Sequence, residues 1–342
     1  MGSSITYNDF QATLRAVVEQ RSQQYQNIYS IAVRWELDDT NAELDTAHFQ
    51  SMLKNFDTDP AEVLVLGSDD HYPPGSFLQR KRDSATNTLI IFHYAGHGAT
   101  KNGSFNIVEN MSEESKTADF ESAILADVKN PKGFSDMIDV LFILDCCYAH
   151  YTTRAPKTTR NVIEILAATS SQTVTARSAP NNTFTAKLAN EIARRKKAHH
   201  ESVEFTSVFQ SLLTRPSTRV RPTHALLVGA ASVNIPLNGH RMVDPRIIPA
   251  DYNALFAVNI SRDITKEELK ELSTWMRELP SFAGLKIENI YHTQSMCLIM
   301  RASFSVYTKL HNMQGYNLIA ENPGPAIDFL NLQSACFYLC DS

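Results

Sequence analysis

The sequence predicts an α/β unit built on a mostly parallel six-stranded sheet flanked by helices, followed by a smaller α+β unit of βαββαβ order. Three observations carry this. Short β-branched and apolar runs alternate with helical stripes from Tyr29 to Gly229, a rhythm that calls for a parallel sheet covered on both faces. Two of those runs are apolar enough to be buried on both sides. Past Asn238 the rhythm changes, and Pro236, Pro245 and Pro249 punctuate the transition. The expected division is an N-terminal helical extension (1–27), the larger unit (28–238), a linker (239–250) and the smaller unit (251–342).

Taken in order, Tyr29–Trp35 reads as a strand. Ala42–Phe56 then places Leu44, Ala47, Phe49, Met52, Leu53 and Phe56 along one helical stripe, which makes a βα unit. Ala61–Leu66 is a second strand, and Phe77–Ala85 a short helix after the Pro73-Pro74-Gly75 turn. Thr88–Tyr94 and Val140–Asp145 are the two strands buried on both faces. Val162–Thr169 is a fifth strand, Thr183–Arg195 and Phe205–Leu213 are helices, and Thr223–Gly229 is the sixth strand. In the second unit, Tyr252–Ile260, Leu285–His292, Met296–Ala302 and Tyr316–Ala320 are strands, and Thr265–Leu279 and Phe304–Met313 are helices. That order is the ferredoxin-like pattern. Thr265 and Glu268 form a capping box for the first of these helices.

Composition narrows the function classes. Of 342 residues, 43% are hydrophobic and 20% charged, an ordinary globular balance. A net charge of −5 offers no electrostatic footprint for nucleic acid or anionic membrane. The ferredoxin-like unit does not revive RNA binding, because residues 244–342 carry 8 Lys+Arg against 11 Asp+Glu and the third strand lacks stacking aromatics. The five cysteines, Cys146, Cys147, Cys297, Cys336 and Cys340, do not form a disulfide framework, so a reducing compartment and a cytoplasmic location are expected. No run reaches the roughly 18 apolar residues of a membrane span. Met1-Gly2 with Thr6 fits the loose N-myristoylation pattern at Gly2, although a single acyl chain anchors only marginally. Arg194-Arg195-Lys196-Lys197 suits either a helix end or a nuclear-localisation patch.

The chemistry-bearing residues sit at two strand ends, His93-Tyr94-Ala95-Gly96-His97-Gly98 and Asp145-Cys146-Cys147-Tyr148-Ala149. Ligands collect beyond the C-terminal edge of a parallel sheet, so both segments face one crevice. A Cys and a His there make a nucleophile and its base, because a nearby imidazolium stabilises the thiolate and the imidazole later protonates a leaving amine. Alternation along the strand sends Asp145 and Cys147 to one face and Cys146 to the other, which makes Cys146 a small buried hydrophobe. His93, inside the apolar run, reads as a structural histidine, and His150 as too close in sequence to Cys147 to serve as its base.

These two segments resemble the H-x-x-G-H-G and D-C-C-H (or D-x-C) elements of the caspase superfamily, metacaspases in particular, and Tyr29–Pro236 follows that family's order of elements. The resemblance implies a caspase-like fold and a cysteine endopeptidase linked to regulated cell death, acting on protein substrates. It makes His97 the general base and acid, Cys147 the nucleophile, and the amides of Gly98 and Cys147 the oxyanion hole. It also makes Asp145 a wall of the substrate pocket. Asp45, in a stretch similar to the family's Asn-Asp helix start, is either the second acid of that pocket or a residue favoured by the helix dipole. Two carboxylates there favour cleavage after Arg or Lys.

The polar segment Tyr148–Asn161 presents Arg154, Lys157 and Arg160, which are candidates for self-processing or simply a solvated basic loop. No cofactor is required and no metal ligands are assigned. Calcium, used by part of the family, does not follow from Asp38-Asp39 or Asp69-Asp70, acidic pairs that also suit solvated turns. The sequence departs from the family where Tyr148-Ala149-His150 replaces His-Ser-Gly, which leaves an inactive binding scaffold as the alternative. The C-terminal unit is expected to dock a regulator, a substrate or a second copy.

Overall fold

The computed structural model describes residues 4–18, 25–67, 75–101, 103–112, 114–128, 135, 137–149, 162–169, 182–213, 222–228, 232–237, 253–279, 283–292, 296–303, 306–307, 310 and 313–321. In chain order the elements are α1 (Tyr7–Val18), β1 (Asn27–Trp35), α2 (Ala42–Leu53), β2 (Glu62–Leu66), α3 (Ser76–Lys81), β3 (Thr88–Ala95), β4 (His97–Lys101), β5 (Ser104–Val108), β6 (Thr117–Asp119) and α4 (Ala126–Val128). There follow β7 (Ile138–Asp145), β8 (Ile163–Ala167), α5 (Phe184–Lys197), β9 (Ser202–Glu204), α6 (Phe205–Leu213), β10 (Thr223–Val228) and β11 (Asn234–Pro236). The last are β12 (Asn253–Ile260), α7 (Lys266–Glu278), β13 (Lys286–His292), β14 (Met296–Ser303) and β15 (Tyr316–Glu321).

The central sheet has six strands in the order β10-β8-β7-β3-β1-β2. All pairs are parallel except β10 with β8. Every residue of β3 is buried, and β7 is buried up to its last residue. Strand alternation separates two cores. One gathers Ile31, Val33, Phe92, Phe120 and Phe142, and the other gathers Ala32, Phe49, Ile91, Leu141 and Leu188. Each fully buried Phe or Leu contributes on the order of 1.5–3 kcal/mol, so these two layers fix the sheet.

The antiparallel join of β10 is tied by a buried carboxylate. Glu164 on β8 accepts from His224 Nε2 (2.7 Å), Ser232 Oγ (2.6 Å) and the Val233 amide (2.6 Å). These bonds satisfy an acid that burial would otherwise penalise heavily. Two small antiparallel sheets, β4-β5-β6 and β11-β9, lie outside the sequence expectation. They rest on cross-strand pairing rather than on any strong apolar pattern of their own.

The C-terminal strands form an antiparallel sheet, β13-β14-β12-β15, the strand order that a βαββαβ chain gives in a ferredoxin-like fold. Along β12, Ala254, Phe256, Val258 and Ile260 point inward in strict alternation. Helix α7 opens on the capping box of Thr265 and Glu268. The second predicted helix is described only at 306–307 and 310, where the backbone is helical. Helix α1 joins this core through Tyr7, Phe10 and Leu14, and Ile5 bridges to Ile260. Residues 239–250 lie outside the described residues. Among the described residues, no helix is long and apolar enough to cross a membrane.

Candidate active site

Strands β3 and β7 pair in parallel from Thr88↔Ile138 to Ala95↔Asp145, so they end level with each other. The amide of Gly96 donates to the Asp145 carbonyl (3.4 Å), which carries the pairing one residue past β3. Gly96 has φ +142°, a conformation that L side chains rarely adopt, and a Cβ there would lie 2.9 Å from the Tyr94 hydroxyl. That hydroxyl donates to the His97 carbonyl (2.7 Å). The next residue, His97, lies in a strand and not in a loop. It opens β4, which pairs with β5 as His97↔Val108 and Gly98↔Ile107.

The other motif meets this one through backbone. A Cβ on Gly98 would lie 2.1 Å from the Cys147 carbonyl oxygen and 2.9 Å from Phe105 Cε2, so only glycine allows this approach. Strand β7 ends at Asp145, so pleat alternation does not extend to Cys147 and the following turn sets its direction. Tyr148 occupies that turn with φ +58°, a costly conformation for a bulky residue. Cys146 is 2% exposed within the apolar core, and burial drives its thiol well above the ordinary value. Cys147 is half-buried.

The two acids meet at the N-terminus of α5. Asp45, 6% exposed, accepts from the Thr183 hydroxyl (2.5 Å), and Asp145 accepts from the Thr185 amide (2.8 Å). Thr183 also caps α5 by accepting from the Ala186 amide (3.1 Å). Desolvation first, and then the Asp145 charge, push the Asp45 carboxyl up to about 7. Desolvation raises Asp145 as well, against the Thr185 bonds and the positive groups Lys187 and His48. The start of α2 is served instead by Asp38, whose Oδ2 accepts from the Ala42 amide (3.1 Å). The Asp45 carboxylate thus faces α5 rather than its own helix end.

His93 is fully buried, stacked on Phe49 with ring centroids 4.6 Å apart, and shares a hydrogen bond with the Thr185 hydroxyl (2.9 Å). Burial lowers its pKa to about 3, so it stays neutral and orders Thr185. Three other neighbours belong to neither motif. Asp39 shares a hydrogen bond with His97 Nε2, while Thr183 and Thr185 hold the acid pair. A capping signature, Asp38-Asp39-Thr40-Asn41 ahead of a helix, was the available clue to the first.

Asp38, Asp39 and His97 bring ligand atoms within 4.8 Å of one another, the one such group among the described residues. Both Asp38 oxygens and the His97–Asp39 pair are already engaged in hydrogen bonds. Beside them runs a cleft of about 440 Å³ lined by Arg34, Glu36, Asp38, Asp39, Asn41 and Glu43. Gly2, Asp69, Asp70, His150, Arg154, Lys157 and Arg160 lie outside the described residues.

Residues 40–233 match the model of the caspase domain. No curated protein matches the chain. Among solved structures, the chain is similar to caspase-1 of Spodoptera frugiperda, at 11% identity over 62% of this chain and 94% of that one, with a TM-score of 0.41. It is also similar to the Drosophila initiator caspase Dronc, at 10% identity over 63% and 84% of the two chains, with a TM-score of 0.42.

Proposed function

The chain belongs to the caspase-domain family of cysteine peptidases, and we propose that it is an endopeptidase of the metacaspase type that cleaves proteins after Arg or Lys. The observation that carries this reading is the close approach of Gly98 to the Cys147 carbonyl, which brings the His97 and Cys147 segments together at the end of β3 and β7. Cys147 Sγ attacks the scissile carbonyl, and the amides of Gly98 and Cys147 hold the developing oxyanion. His97 gives its proton to the leaving amine, and water then cleaves the thioester to release the carboxylate product and restore the thiol. Asp45 and Asp145 receive the guanidinium or ammonium of the substrate, whose charge compensates a pair that is strained when alone. Arg154, Lys157 and Arg160 match that preference and are proposed as self-processing points.

A second reading, an inactive scaffold that binds partners, draws support from Tyr148, whose left-handed backbone strains the turn after the nucleophile. Hydrolysis of fluorogenic peptides ending in Arg, Lys or Asp, by wild type and Cys147→Ala with and without calcium, separates the two. Cleavage after Arg or Lys that vanishes in Cys147→Ala is the expected result. Cleavage after Asp removes the roles given to Asp45 and Asp145, and silence throughout favours the scaffold. A cleaved form that disappears on expression of Cys147→Ala tests the self-processing points.

A further inference from the structure

We infer that Asp39 is a positioning residue for His97, so that the working unit is a Cys147–His97–Asp39 triad rather than a dyad; this rests on the peptidase reading above. The Asp39 carboxyl is held below the usual carboxylate range, chiefly by its hydrogen bond with His97, so it is ionised and can only accept. The proton of the neutral imidazole therefore resides on Nε2, and Nδ1 keeps the lone pair for the Cys147 thiol. When the thiolate–imidazolium pair forms, the proton moves from Cys147 Sγ to His97 Nδ1. The Asp39 charge then faces the cation it stabilises.

The placement of Asp39 is built rather than incidental. The preceding residue, Asp38, accepts from the Thr40 amide (2.9 Å), the Thr40 hydroxyl (2.9 Å) and the Ala42 amide (3.1 Å), and Asn41 closes the turn with φ +67°. Asp38 Oδ1 lies 3.2 Å from the place a Gly96 Cβ would occupy, so the turn is packed against the residue before His97. From the other side the Tyr94 hydroxyl holds the His97 carbonyl. The imidazole is thus fixed at both its backbone and its ring, with an exposure of 18%, whereas Asp39 is 70% exposed. Among the described residues, Asp38 and Asp39 bring carboxylate oxygens within 4.8 Å of a His97 ring nitrogen.

The test uses the full chain with Asp39→Asn, which keeps the shape and removes the charge, and Asp39→Ala, which removes both. Two readouts are taken at pH 7: kcat and KM on an Arg or Lys peptide, and the rate at which iodoacetamide alkylates Cys147, followed by peptide mass. The second needs no substrate and reports thiolate activation directly. Loss of a charge-assisted hydrogen bond, discounted for a mostly exposed partner, is expected to lower kcat and the alkylation rate together by about 3- to 20-fold, with Asp39→Ala the lower. KM is expected to move by less than about threefold, and the urea midpoint to stay put, since Asp39 is exposed. Rates within twofold of wild type overturn the triad, as does a rise in KM at unchanged kcat, which reassigns Asp39 to substrate binding. If His97→Ala silences Cys147 while Asp39→Asn does not, only the role of Asp39 falls. If Cys147→Ala stays active, or Cys147 is alkylated no faster than a thiol in the urea-unfolded chain, the peptidase reading falls and takes the triad with it.

Discussion

Replacing Asp45 by Asn is expected to stabilise the fold at pH 8 while weakening cleavage after Arg or Lys. The Asp45 carboxyl moves from an ordinary 3.8 to about 7, driven by burial and by the Asp145 charge. A carboxyl whose pKa is higher in the folded chain binds its proton more tightly there. Its contribution is fully present below the unfolded value near 4, and is lost as pH rises through about 7. A displacement of this size is worth roughly 4 kcal/mol if it survives intact, at about 1.4 kcal/mol for each decade. The pair relaxes and shares its proton, so about half, or about 2 kcal/mol, is a sounder expectation at pH 8.

Opposing this is the helix dipole. Asp45 lies in the first turn of α2, where a negative charge is worth about 0.3–1 kcal/mol. Burial wins the comparison, and Asn can still accept from the Thr183 hydroxyl. Urea unfolding of wild type and Asp45→Asn at pH 5 and pH 8 measures the balance. The advantage of the variant should grow from under about 1 kcal/mol to about 1–2 kcal/mol over that range. A variant that is destabilised at pH 8, or whose effect does not change with pH, would refute the strained pair and restore Asp45 to a helix-start role.

Two further substitutions probe the frame around the site. Gly98→Ala puts a methyl 2.1 Å from the Cys147 carbonyl oxygen, a backbone atom that cannot swing aside. It should cost about 1–3 kcal/mol in stability and lower peptide hydrolysis by at least about 100-fold, read by urea unfolding and initial rates. Glu164→Ala strands the partners of three short hydrogen bonds in the second core layer. A loss of about 3–5 kcal/mol is expected from urea unfolding, and a loss under about 1 kcal/mol would mean that water or repacking replaces the carboxylate.

The parts of the fold that were legible in the sequence are those whose signal is local. Thr88–Tyr94 and the run ending at Asp145 read as central strands because nearly all of their residues are apolar, and both are buried up to Asp145. Thr265 and Glu268 announced a capping box three residues apart, and it formed. The direction of β10 was not legible, because an apolar run reads the same in a parallel or an antiparallel pair. Nor were β4 to β6, whose short polar-rich strands are fixed by partners across the sheet. The amphipathic α1 offered a face but not its destination, the core around Phe256 and Tyr316.

The same division runs through the site. Asp38 and Asp39 read as acidic turn residues, and for Asp38 that local reading describes what it does, since its carboxylate binds Thr40 and Ala42 within its own turn. For Asp39 it is incomplete, because its partner His97 lies 58 residues away and no spacing rule joins them. Asp45 and Asp145 are linked in sequence only by resemblance to a family, while Thr183 and Thr185, a further 38 and 40 residues beyond Asp145, supply the bonds that hold the acids together. Local chemistry therefore predicts which residues are fit for a role, and the pairing of distant strand ends decides which of them receive it. On the proposed reading, a chain that kept both motifs but lost the turn at 38–41 would keep Cys147 and His97 while losing the Asp39 carboxylate that bonds the imidazole. The response of Asp39 is for that reason more telling about this site than any change to the motif residues themselves.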